Sequence, residues 1–176
     1  MLNSIYGLIK LFVANIFPWK LVGVNMQDIY NYIQISDLIA TSGQPTKEQF
    51  PAIKASGYEV VVNLALPESM NALPQEKLIV ESQEMQYIHI PVLWENPTLK
   101  NITDFFDVMN ANVDKKVFVH CAANMRVSAF VYLYRRIQGD VSEEQAATDL
   151  HKIWTPNKIW QKFIQSVLDN YQQQKS

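Results

Sequence analysis

Cysteine is almost absent from this chain: Cys121 is the sole example in 176 residues. No internal disulfide is therefore available, and a lone thiol fits a reducing compartment, so a cytoplasmic location is expected. Neither sign of charge dominates, with 15 Lys and Arg against 17 Asp and Glu and a formal net charge of -2. That balance offers no basic surface for nucleic acid. The three histidines, His89, His120 and His151, are scattered and form no cluster at metal-ligand spacing, so no metal and no cofactor are expected. No internal repeat appears. What is present is 48% apolar and 18% charged sequence, the composition of a globular chain long enough for one core.

The N-terminal stretch from Met1 to Val24 is rich in Leu, Ile, Phe and Val, yet it lacks a basic leading region and a small-residue cleavage site. Lys10, Lys20 and Pro18 break the apolar run, which argues against both a secretory signal and a spanning helix. Residues 1–25 are read as an apolar extension, either a helix packed on the domain or an amphipathic helix in peripheral contact with a membrane. Met26 stands as an alternative start. The main domain is expected over 26–171, with a frayed tail at 172–176.

From Ile33 onward short elements alternate. Ile33–Ile35 and Ile39–Thr41 read as strands, Ser42-Gly43-Gln44-Pro45 as a turn, and Thr46 as the cap of a helix closed by Gly57. Tyr58–Leu64 is a β-branched run suited to a buried parallel strand. A helix over Gln75–Met85, a strand over Tyr87–Val92 and a loop over Leu93–Thr98 follow. Leu99–Asn112 places Ile102, Phe105, Phe106 and Met109 on one helical face. Lys116–His120 is a strand leading into Cys121. Helices over Val127–Gln138, from Ser142 and over Asn157–Gln173 complete the chain. The pattern predicts a three-layer α/β domain with a mostly parallel sheet flanked by helices and a helical C-terminal half.

The segment His120-Cys121-Ala122-Ala123-Asn124-Met125-Arg126-Val127-Ser128 carries the chemistry. A strand delivers the thiol, a short loop follows, and an arginine opens a helix. The loop amides, the helix N-terminus and the Arg126 guanidinium converge; each favours the thiolate, the form that attacks, and each also binds an oxyanion. Arg126 suits bidentate contact with two phosphate oxygens. Ala122, Ala123, Asn124 and Met125 would line the anion, and Ser128 would donate to the sulfur or assist a leaving thiolate. His120 would hold the loop by hydrogen bonds rather than serve as a base.

These residues resemble the signature of the cysteine-dependent protein tyrosine phosphatases, above all the compact dual-specificity-like kind. The similarity extends to a small bacterial branch, the beta-lactamase-hydrolase-like phosphatases, through Ser42-Gly43-Gln44-Pro45 and Val61-Val62-Asn63-Leu64. It covers about Ile33 to Leu168. The resemblance implies hydrolysis of phosphate monoesters, on a phosphorylated protein or a small molecule, through a phosphocysteine at Cys121. It also implies a carboxylic acid on a mobile loop about thirty residues earlier. Glu95, within Leu93-Trp94-Glu95-Asn96-Pro97, holds that place, with Asp104 and Asp107 as lesser candidates and Trp94 as a hinge or core filler.

Three departures are visible. Four residues separate Cys121 from Arg126 where the resembled signature has five, no glycine lies between them, and the acid is a glutamate. Asn124 is the best substitute for a positive φ. The short loop also resembles that of single-domain rhodaneses, so a sulfurtransferase carrying a persulfide on Cys121 stays open. A non-catalytic module holding a phosphorylated partner stays open as well.

Overall fold

The computed structural model describes residues 24–139 and 141–174. Most of the N-terminal extension, including the membrane-surface alternative, therefore lies outside the described residues. A five-stranded sheet has the order β1-β2-β5-β3-β4. Its strands are β1 (Ile33–Gln34), β2 (Ile39–Ser42), β3 (Val60–Asn63), β4 (Gln86–His89) and β5 (Val117–His120). Only β1–β2 is antiparallel; the other three pairings are parallel.

Among the described residues six α-helices flank the sheet: α1 (Phe50–Ala55), α2 (Glu76–Glu81), α3 (Leu99–Ala111), α4 (Met125–Ile137), α5 (Glu143–Ile153) and α6 (Lys158–Gln174). Local signals explain their ends. Thr98 accepts from the Asn101 N–H while the Asn101 side chain reaches back to the Thr98 N–H, so the first turn of α3 is capped from both sides. Ser142 accepts from the Gln145 N–H at the start of α5. Ile102, Phe105, Phe106 and Met109 are the buried face of α3, as their spacing predicts.

Side chains alternate along a strand, so neighbouring valines enter different layers. Val60, Val62, Val117 and Val119 join Phe105, Phe130, Trp160 and Phe163 in one core. Val61 and Phe118 join Phe50, Ile53 and Val80 in the other. Two cores on one sheet make the three-layer α/β domain. Among the described residues, no helix is long and apolar enough to cross a membrane.

Several boundaries moved from their sequence-based positions: the helix expected over Gln75–Met85 is Glu76–Glu81, and the strand expected over Tyr87–Val92 is Gln86–His89. Helix α4 starts at Met125 rather than Val127, because Asn124 reverses the chain two residues earlier than the apolar pattern indicates. Helix α6 runs to Gln174, three residues into the segment expected to fray.

Register places the site. Ser42 and Asn63 both stand opposite His120, and His89 stands opposite Asn63. The C-terminal ends of β2, β5, β3 and β4 therefore form one row. The loops that leave them meet above the central strand β5, the position at which open α/β sheets receive ligands.

Candidate active site

Cys121 follows β5 directly and is 1% exposed, in contact with the core that holds Val60, Val62 and Phe130. The chain then turns within three residues. Asn124 adopts φ 64° and ψ -1° and serves as the N-cap of α4, which puts Arg126 in the first helical turn rather than in a longer loop. Few residue types take this left-handed conformation cheaply; asparagine is one of them. Its side chain is pinned as well: Nδ2 donates to Asn31 O at 2.7 Å and to Thr41 Oγ1 at 3.0 Å. Asn124 thus shapes the loop from behind, with its amide turned toward β2.

The loop is tied at its outer side. Ala122 O accepts from the Gln44 N–H at 3.2 Å, and Ala123 O accepts from Asn31 Nδ2 at 3.0 Å. In a trans peptide the N–H points opposite its carbonyl, so the amide of Ala123 is directed away from the Gln44 contact. The first N–H groups of α4 have no acceptor within their own helix. Ala122, Ala123 and Met125 are half-buried at the mouth of this turn.

Gly43 permits the close approach. A Cβ there would stand 2.7 Å from Tyr30 Cδ1 and 3.0 Å from Ala122 O. The Ser-Gly-Gln-Pro segment therefore acts by letting β2 abut the loop, while its Gln44 side chain enters a buried polar cluster.

That cluster was not legible as such. Glu76, at the start of α2, is 5% exposed and carries three contacts. His120 Nε2 lies 2.8 Å from Oε1, Asn63 Nδ2 donates to Oε1 at 3.2 Å, and Gln44 Nε2 donates to Oε2 at 2.8 Å. Burial pushes the Glu76 carboxyl up, but the His120 charge and bond and the Gln44 bond outweigh it and hold it below the ordinary glutamate value. Tyr87 accepts from Asn63 at 3.1 Å; burial, then the Glu76 charge, pushes its phenol up to about 12. His120 therefore does not hold the loop by hydrogen bonds. Its bonded nitrogen faces Glu76, and its Nδ1 is buried without a partner.

Ser128 also departs from its expected part. Its hydroxyl donates to Met125 O at 3.0 Å and accepts from Trp154 Nε1 at 3.1 Å. The donor expected for the sulfur is thereby committed to the first turn of its own helix.

Arg126 is turned inward. It is 8% exposed, its guanidinium carbon lies 5.7 Å from the Trp94 ring centroid, and its Nε is buried without a hydrogen-bond partner. Among the described residues no carboxylate pairs with it. Trp94 in turn packs, tilted, on both Trp154 and Trp160, with ring centroids 5.1 and 5.3 Å away, and those two rings also touch each other. The loop that carries Glu95 is therefore brought to Arg126, as its position in the chain predicts. Glu95 itself is exposed and makes no hydrogen bond or ion pair among the described residues. Asp104 pairs with Lys100 at 2.7 Å on the outer face of α3, and Asp107 is exposed on that helix; neither belongs to the cluster around Cys121.

Sequence reasoning missed Glu76, Trp154 and Trp160 as parts of the site. Glu76 falls at the start of the helix expected over Gln75–Met85, and Trp160 within the one expected over Asn157–Gln173, with nothing local to single either out. Asn63 gave a signal, since a polar residue ends an otherwise apolar strand.

Comparisons with known proteins point to a family of phosphatases. A family model described as DSP-PTPase phosphatase fused to NAD+ kinase matches residues 15–166. A DUF442 phosphatase-like protein of Shewanella putrefaciens CN-32 is 35% identical, with 83% of this chain and 96% of that chain covered and a TM-score of 0.75. The core catalytic domain of the PP-IP phosphatase SIW14 of S. cerevisiae, solved with citrate, has a TM-score of 0.65 over 78% of this chain and 85% of its own. At 18% identity that likeness is one of fold. A Beta-lactamase hydrolase-like protein of Agrobacterium fabrum is 27% identical over 112 residues, 62% of this chain. The chain spans only 26% of that relative's length.

Proposed function

Because this chain belongs to the family of DSP-PTPase phosphatases of the kind fused to NAD+ kinase, and is accordingly a cysteine-dependent phosphatase, we propose that Cys121, Arg126 and Glu95 carry its reaction. One observation supports this assignment above the rest. Arg126 is a buried cation with, among the described residues, an unpartnered Nε and no paired carboxylate. A buried charge calls for a partner, and a phosphate dianion seated in the turn above Cys121 supplies one.

The steps are as follows. Arg126 and the amides of the 122–126 turn hold the nonbridging oxygens, with Ala122, Ala123 and Met125 forming the rim, while the buried Asn124, expected to line the anion, shapes the turn from behind through Asn31 and Thr41. The Cys121 thiolate forms a bond to phosphorus as the bond to the leaving oxygen breaks, and the Glu95 carboxyl gives that oxygen its proton. Water then attacks phosphorus, the Glu95 carboxylate takes its proton, and the sulfur–phosphorus bond breaks to release phosphate and the thiolate. His120 supports Cys121 from the strand side through Glu76. Ser128 and Trp154 hold the first turn of α4.

The substrate class is a phosphate monoester, on a phosphorylated protein or a small molecule. We assign the catalytic unit to residues 26–171 and, from the lone free thiol, a cytoplasmic setting, with membrane contact through residues 1–25 tested by flotation of the full chain. Turnover of p-nitrophenyl phosphate by the full chain tests the site. Cys121→Ser abolishes turnover, and unchanged activity in that variant removes the assignment. The four-residue spacing between Cys121 and Arg126 favours one second reading, sulfur transfer. A parallel assay with thiosulfate and cyanide tests it; there Glu95→Gln has no effect.

A further inference from the structure

Two C-terminal tryptophans, Trp160 buried and Trp154 half-buried, each spend their one side-chain donor on the site. Trp154 Nε1 donates to Ser128 Oγ at 3.1 Å, and Trp160 Nε1 donates to the main-chain Trp94 O at 3.1 Å. The second bond is unusual in its consequence. The carbonyl of Trp94 and the N–H of Glu95 belong to one planar peptide, so whatever fixes that carbonyl fixes the plane from which Glu95 departs. Trp160 is 0% exposed and sits in the first turn of α6, where Asn157 Oδ1 accepts from the Trp160 N–H at 3.1 Å. Its ring also packs on Trp94, Trp154, Phe130 and Phe163. The donor is thus held rigidly on a helix, while the acceptor is on a loop whose neighbours Leu93 and Glu95 are exposed.

We infer that Trp160 is a positioning residue for the acid loop: its indole N–H latches the Trp94–Glu95 peptide so that Glu95 addresses the leaving oxygen above Arg126. The proposal rests on the reading of Glu95 as the general acid. Helix α6 lies 66 residues further along the chain, so the latch ties the C-terminal helix to the chemistry without touching substrate. Loss of the bond lets the peptide rotate about its flanking bonds while the ring stack still holds the loop nearby. The acid then spends most of its time outside proton-transfer distance, and a small misplacement of that kind costs about 10- to 100-fold in the step it serves.

The test compares two substrates on the full chain. Phenyl phosphate has a poor leaving group and needs the acid; dinitrophenyl phosphate has a good one and does not. Trp160→Phe is expected to lower kcat on phenyl phosphate by about 10-fold or more and to change kcat on dinitrophenyl phosphate by less than about 2-fold. In a Glu95→Gln background Trp160→Phe produces no further loss on phenyl phosphate. Should Trp160→Phe fail to fold, benzothienylalanine installed at position 160 keeps the ring shape and removes only the N–H. Equal losses on both substrates, or no loss on phenyl phosphate, would overturn the latch while Glu95→Gln still slows that substrate. If Glu95→Gln leaves phenyl phosphate turnover intact, the acid assignment itself fails and the latch with it.

Discussion

Removing Glu76 is the severest test of how the site is held. Its two oxygens take His120 Nε2, Asn63 Nδ2 and Gln44 Nε2 at 2.8, 3.2 and 2.8 Å, all from buried residues. Glu76→Ala removes one acceptor from each of three buried donors; Asn63 Nδ2 keeps Tyr87 Oη and Gln44 Nε2 keeps Pro45 O, while His120 Nε2 loses its partner. Each unmatched donor costs about 1–3 kcal/mol, an upper bound of about 9 kcal/mol for the set. The true loss falls near the bottom of that range. Glu76 also lines a cavity of about 700 Å³ bounded by Asn63, Pro67, Leu73, Lys77 and His89, and water from that opening can satisfy some of the exposed donors. We expect a loss of about 3–4 kcal/mol, a fall in Tm of roughly 10 °C for a domain of this size. Urea unfolding followed by fluorescence measures it, with an unchanged m value. The contribution also has a sign in pH. Glu76 is held below its ordinary value, so its stabilisation is complete above the unfolded-state value and is lost as pH falls through the folded one. Glu76→Gln therefore has a flatter loss of stability than the parent below about pH 4.3. A Glu76→Ala variant within about 1 kcal/mol of the parent, or an unchanged acid slope in Glu76→Gln, would refute the cluster as a structural support.

Three further outcomes are expected. Gly43→Ala forces a Cβ against Tyr30 and Ala122 O; it should cost about 1–3 kcal/mol and lower turnover, because the displaced carbonyl belongs to the catalytic turn, and activity at full stability would count against it. Asn124→Ala loses two side-chain bonds and must hold φ 64°, a loss of about 2–4 kcal/mol. Asn124→Gly accepts the φ and should lose less, so equal thermal shifts would argue against backbone strain. Arg126→Lys keeps the charge but loses the fork and the guanidinium's cation–π contact with Trp94; turnover of an aryl phosphate should fall about 100-fold or more, measured as initial rates at saturating substrate.

What the sequence determined by itself is the layer pattern and the local chemistry. Runs such as Val60-Val61-Val62 must be buried on both faces, and the Ile102, Phe105, Phe106 and Met109 spacing allows one helix face only, because backbone period and hydrophobic pattern are short-range properties. The order strand, Cys121, turn, Arg126, helix is equally local, and even the left-handed Asn124 follows from the lack of a glycine in so short a turn. Folding decided everything that depends on residues distant in the chain. Glu76 meets His120 across 44 positions, and Trp160 meets the Trp94 carbonyl across 66. Ser128 finds its acceptor one turn back only because α4 begins at Met125. No period or motif encodes such pairings, since a carboxylate beside a lysine or a tryptophan among apolar residues reads the same whether it serves a site or a surface. The parallel register of β2, β3, β4 and β5 brings their ends into one row, and that row, not any single segment, makes the site.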